Sequence, residues 1–101
     1  MKTTRTRLII EDKTRPVLSA HVHMKFNELR QAQAVLAPEH VYWPDDVSVA
    51  ILKKLNGKKD VTTIIAELAD DYSAPVEAVG ADVIEFLQTW ADERLISEET
   101  S

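Results

Sequence analysis

The stretch His21-Val22-His23-Met24-Lys25-Phe26 alternates residue by residue, with Val22, Met24 and Phe26 on one side and His21, His23 and Lys25 on the other. A period of two marks a half-buried strand with its apolar face toward a core. Beyond the polar segment Asn27 to Gln33, the run Ala34-Val35-Leu36 leads into Pro38, whose missing N–H suits a turn or an edge position. These two runs form a hairpin. Pro38-Glu39-His40 then turns into Val41-Tyr42-Trp43, rich in β-favouring side chains and closed by Pro44. Tyr42 and Trp43 are neighbours in that short third strand, so they point to opposite faces and one of them is expected at the surface.

Everything after Pro44 carries helical spacing. Asp45 or Asp46 caps a first helix whose apolar positions Val47, Ala50, Ile51 and Leu55 recur until Asn56 and Gly57 interrupt them. Asp60 caps a second, with the stripe Val61, Ile64, Ile65, Leu68 and Tyr72, ending near Ser73. Pro75 suits the first turn of a third, in which Val76, Val79, Val83, Leu87 and Trp90 share one face and Ile84 and Phe86 widen it. Glu77, Asp82, Glu85, Gln88 and Asp92 form the opposite, solvated face. Gly80 interrupts the third helix at a cost of about 1 kcal/mol relative to alanine, which close backbone packing would explain. Strands segregated ahead of helices define an α+β domain: a small three-stranded antiparallel sheet followed by three helices, winged-helix-like except that the sheet comes first.

The 101 residues suit one domain with one core, and 45% apolar against 29% charged residues is the composition of a folded chain. Residues 1–15 read as a loose basic N-terminal arm, 16–96 as the folded domain, and 97–101 as a frayed tail. The arm carries five basic and two acidic side chains, so a chain of net charge −5 leaves −8 for the remainder. An anionic body repels phosphate backbones, which argues against nucleic acid as a partner. No apolar run reaches the roughly 20 residues that cross a bilayer, and Glu11, Asp12 and Lys13 break up any signal-peptide core after the basic start. The expectation is a cytoplasmic protein with no membrane partner.

Chemistry is hard to find. Without cysteine there are no disulfides, thiolate nucleophiles or thiolate-held metals. No serine lies in a nucleophile elbow and two glycines build no phosphate loop. The acidic pairs Asp45-Asp46, Asp70-Asp71 and Glu98-Glu99 point apart as sequence neighbours and read as caps or solubilising charge. His21, His23 and His40 could be combined into a metal-dependent site, but a zinc centre needs three or four converging ligands; outward-facing strand histidines are the favoured reading. The chain is therefore read as a binding module and not an enzyme, with no metal and no cofactor. A sheet edge that exposes unpaired N–H and C=O groups can accept an added peptide strand.

Several stretches resemble the PqqD family of pyrroloquinoline quinone (PQQ) biosynthesis: Arg15-Pro16-Val17-Leu18, His21-Val22-His23-Met24-Lys25-Phe26, Val35-Leu36-Ala37-Pro38-Glu39, Leu55-Asn56-Gly57-Lys58-Lys59, Val61-Thr62-Thr63-Ile64-Ile65 and Ala81-Asp82-Val83-Ile84-Glu85-Phe86-Leu87. Leu36-Ala37-Pro38-Glu39 is the most specific of them, and Glu93-Arg94-Leu95 stands where the family often has Lys-Gly-Leu. The resemblance implies a chaperone-like recognition domain that binds the precursor peptide PqqA and delivers it to the radical S-adenosylmethionine enzyme PqqE, acting as a monomer or weak homodimer. It implies a peptide added beside the third strand, in a groove formed by His40, Val41, Tyr42 and Trp43 on one side and Val83, Phe86, Leu87 and Trp90 on the other. A recognition domain of another modified-peptide pathway and a winged-helix DNA-binding regulator are the alternatives.

Overall fold

The computed structural model describes residues 7–99. In chain order the elements are β1 (Pro16–Leu18), β2 (His23–Asn27), β3 (Ala32–Ala37), β4 (His40–Tyr42), α1 (Asp46–Leu52), α2 (Val61–Tyr72), α3 (Val76–Asp92) and β5 (Ile96–Glu98). The antiparallel sheet β2-β3-β4 is the one expected from the alternation, with Met24 opposite Val35 and Val35 opposite Tyr42. A second, two-stranded sheet pairs β1 with β5, Leu18 opposite Ile96.

The helices start where their caps allow. The Asp45 carboxylate accepts from the Ser48 N–H at 2.8 Å and that of Asp60 from the Thr63 N–H at 2.9 Å. At α2 two further end groups are satisfied from the N-terminal segment: the Val61 N–H donates to the Thr14 carbonyl at 2.9 Å, and the Thr62 N–H to that of Asp12 at 3.1 Å. The segment expected to be a loose arm is thus docked from Arg7 onward, with Ile10 and Thr14 buried; its first six residues lie outside the described ones. The Gln88 side-chain amide grips its backbone, accepting from the Ile10 N–H and donating to the Leu8 carbonyl, both at 2.9 Å.

The tail is corrected in the same way. After α3 the chain reverses through Arg94 in the left-handed region (φ 66°), with the Leu95 N–H donating to the Trp90 carbonyl. Ile96 is then buried and Ser97 and Glu98 pair with β1 rather than fraying; the last two residues lie outside the described ones. Helix α1 ends at Leu52, short of the expected Leu55. Asn56 Oδ1 accepts from the N–H groups of Lys58 and Lys59, and Gly57, at φ 76°, donates to the Pro16 carbonyl, so this loop is tied to β1 instead of continuing the helix. Phe26, expected in the core, is instead 46% exposed at the end of β2.

The core is built around α3. Its Val83, Leu87 and Ala91 are buried with Ile64, Ile65 and Leu68 of α2, Ile51 and Leu52 of α1, Val35 of β3 and Ile96 of β5. Gly80 is not a point of tight approach. A Cβ there would sit 3.6 Å from two carbons of Ile65, an ordinary contact. Gly80→Ala is therefore expected to stabilise the fold by about 1 kcal/mol, through helix propensity and a stiffer unfolded chain, raising the urea midpoint.

Four carboxyls sit below their ordinary range: Asp45 and Asp60 through the capped N–H groups of Ser48 and Thr63, Glu67 through Lys59 and Lys54, and Asp92 through Arg7. A depressed folded-state value means their contribution is complete above the ordinary carboxylate range and is lost as pH falls through the depressed values. The thermal midpoint is expected to hold on the neutral side and to drop below about pH 4. Asp60→Asn keeps an acceptor at the cap and should weaken that acid dependence.

Candidate functional site

Strand β4 follows β3 through the two-residue turn Pro38-Glu39. Closing such a turn requires Ala37 and His40 to exchange both ladder hydrogen bonds, and the alternation of antiparallel pairs assigns the same role to Val35 and Tyr42. Val41, opposite Leu36 in the non-bonded position, therefore turns its N–H and C=O away from β3. Among the described residues β4 has no other strand partner, so those groups form a free edge.

Four rings line up beside that edge. His40 and Tyr42 have centroids 5.1 Å apart, Tyr42 and Trp90 5.7 Å, and Trp90 and Phe86 5.0 Å, all in tilted arrangements. This chain of contacts joins the inner face of β4 to α3, and such pairs contribute about 0.5–1.5 kcal/mol each beyond area burial. Val41 and Trp43 lie on the other face of the sheet, 50% and 40% exposed, and the Arg30 guanidinium sits 4.3 Å above the Trp43 ring. Trp43 is thus the exposed member of the aromatic pair.

Of the eight expected site residues, the structure sets Val41 and Trp43 on the outer face of the sheet and brings His40, Tyr42, Phe86 and Trp90 together as the ring row. It places the other two beneath it. Val83 and Leu87 are 2% and 0% exposed, packed against α2 and the sheet, and serve as the floor under Phe86 and Trp90 rather than as contact residues. The wide stripe of α3 splits into two arcs, and it is the Phe86–Trp90 arc that faces β4.

Two features escaped sequence reasoning. A small apolar pocket of about 210 Å³ lies where α1, α2 and α3 meet, bounded by Val47, Tyr72, Val79 and Val83 among others. The signal for it was the spacing Val79, Val83, Phe86, Trp90, which extends the groove line toward the start of α3. A larger, open depression of about 560 Å³ lies at the β1-β5 sheet, among Arg7, Ser19, His21, Asp92 and Arg94. It has charged walls and no aromatic row, so despite its size it is the poorer match to a peptide strand. His21 borders it and His23 is exposed on β2, separated from His40 by β3. Among the described residues no three His, Asp or Glu side chains are placed to hold one metal ion, and no helix is long and apolar enough to cross a membrane.

The three-stranded sheet has β2 and β4 at its edges, and its β4 edge lies beside the aromatic face of α3, an arrangement able to accept an added peptide strand. The family of coenzyme PQQ synthesis protein D (PqqD) matches residues 17–96, and the chain belongs to it. It is 41% identical over 92 residues to the PqqA binding protein of Rhodopseudomonas palustris (strain TIE-1), covering 91% of this chain and 90% of that one. The solution NMR structure of the PqqD truncation of Methylobacterium extorquens PqqCD superimposes with a TM-score of 0.69 at 33% identity, over 81% of this chain and 87% of that one. That domain is described as a functional, stand-alone recognition element for ribosomally synthesized and post-translationally modified peptides. The crystal structure of PqqD from Xanthomonas campestris gives a TM-score of 0.54 at 29% identity, over 85% of this chain and 96% of that one.

Proposed function

We propose that this protein is a peptide chaperone of PQQ biosynthesis, which holds the precursor PqqA as an added strand along β4 and presents it to the radical S-adenosylmethionine enzyme PqqE in the cytoplasm. The observation that carries the reading is the outward Val41 N–H and C=O beside the row Tyr42, Trp90, Phe86. An added strand takes backbone hydrogen bonds from the first, while alternate side chains meet the ring row and the outer Val41–Trp43 face. Relatives that carry the name PqqA binding protein cover nine-tenths of the chain at about 40% identity, which supports PqqA as the peptide. Holding a substrate for another enzyme requires no catalytic group of its own, and a single copy offers a complete groove.

The regulator reading fits poorly. A helix that enters the major groove needs cations toward the phosphates. The exposed positions of α3 instead include Glu77, Asp82 and Glu85.

Because the Val41 N–H points away from β3, Val41→Pro removes an edge donor without removing a rung of the β3-β4 ladder. Titration calorimetry with a synthetic PqqA peptide is expected to show micromolar or tighter binding to the unaltered protein and at least about tenfold weaker binding to Val41→Pro, with unchanged circular dichroism. Absence of measurable binding to the unaltered protein overturns the proposal, and equal affinity of the variant overturns strand addition at β4.

A further inference from the structure

We propose that the pocket between α1, α2 and α3 receives a lysine or arginine side chain of the bound peptide, with Asp82 as its counter-charge; this rests on the peptide-binding reading above and adds the chemistry of one recognised residue. The walls of the pocket are apolar, formed by Val47, Ile51, Leu68, Tyr72, Val79 and Val83, and Asp82 is the one charged residue lining it. At about 210 Å³ it is smaller than the roughly 300–1,000 Å³ typical of small-molecule sites and fits a single long side chain.

The charge arrangement selects the occupant. Asp82 takes part in none of the ion pairs among the described residues. No lysine, arginine or histidine lines the pocket, and Asp46 precedes Val47 at its α1 side. An aliphatic side chain would fill the apolar space but leave the exposed Asp82 carboxylate in solvent, gaining nothing from its charge. A glutamate or aspartate would add repulsion. A lysine or arginine satisfies both parts, with its methylene stem against valine, leucine and isoleucine and its charged head at Asp82.

By helical spacing, the pocket also lies on the same side of α3 as the ring row. Val79, Val83, Phe86 and Trp90 follow one line along α3 at steps of four, three and four residues. Val79 lies seven residues from Phe86, about 10 Å along the helix axis, and an extended peptide covers that in about three residues at about 3.3 Å each. The cationic residue should therefore stand three or four positions from the peptide residue that packs on Phe86 and Trp90.

The test is a set of PqqA peptides in which each position in turn is replaced by Lys, Leu or Glu, titrated against the full-length protein and its Asp82→Asn and Asp82→Lys variants. One position is expected to favour Lys over Glu by about tenfold, with the preference flattened by Asp82→Asn and reversed by Asp82→Lys. Asp82 is exposed on α3, so both variants should fold, which circular dichroism checks. Peptides that bind in a Val41→Pro-sensitive way, but whose charge preferences shift at every position alike or nowhere, overturn the Asp82 assignment and leave strand addition standing. Failure of every peptide to bind the unaltered protein overturns both.

Discussion

Helix α3 is the constraint on which the fold depends, because three arcs of its surface are claimed by three different parts of the chain. Val83, Leu87 and Ala91 pack into the common core, Phe86 and Trp90 meet the sheet through Tyr42, and Gln88 holds the N-terminal segment. Burying one side chain such as Leu87 contributes about 1.5–3 kcal/mol, so the first arc supplies the larger stabilisation. The aromatic arc does something else: it fixes how far β4 stands from the helix. Tyr42 ties the strand to α3 through its contact with Trp90.

The N-terminal segment shows which interactions matter at the back of the helix. The Arg7–Asp92 pair has good geometry, at 2.8 and 2.9 Å, but its side chains are 60% and 39% exposed, and exposed pairs contribute about 0–1 kcal/mol. The carbonyls of Asp12 and Thr14 contribute more distinctly. They satisfy N–H groups that begin α2 and have no partner within the helix. With Ile10 buried and Gln88 holding the backbone on both sides of Ile9, the segment acts as part of the domain, and the two-stranded sheet closes the same region from the other end of the chain.

Helices α2 and α3 were legible because their stripes are long and their start signals, Asp60 and Pro75, are unambiguous. The β3-β4 turn was legible from Pro38. Strands β1 and β5 were not, since three-residue segments such as Ile96-Ser97-Glu98 hold no period to read and their pairing partner is distant in sequence. The reversal that creates β5 runs through Arg94 at positive φ, where glycine would have announced a turn and arginine does not. At the site, alternation correctly separated Tyr42 from Trp43, and adjacency to a strand ending identified the edge. What sequence could not supply was which arc of an over-wide stripe would be covered by α2. That is why Val83 and Leu87 belong to the core while Phe86 and Trp90 stay partly exposed, and why the pocket near Asp82 appears only once three helices are packed together.

The shortness of β4 sets how such a groove can work. Proline residues flank the strand at 38 and 44, which limits it as a template for aggregation as well as for a ligand. Val41 offers two backbone hydrogen bonds, about 1 kcal/mol each in net terms. Micromolar affinity requires about 8 kcal/mol beyond an association cost of at least about 4 kcal/mol. Some 10 kcal/mol must then come from side chains, equivalent to about 400 Å² of apolar surface buried. The ring row Tyr42, Trp90, Phe86, the outer pair Val41 and Trp43, and the pocket at Val47 and Val79 are the exposed surfaces able to provide it. On the proposed reading, backbone pairing at β4 sets the register of a bound peptide, and the side chains along α3 decide which peptide is held.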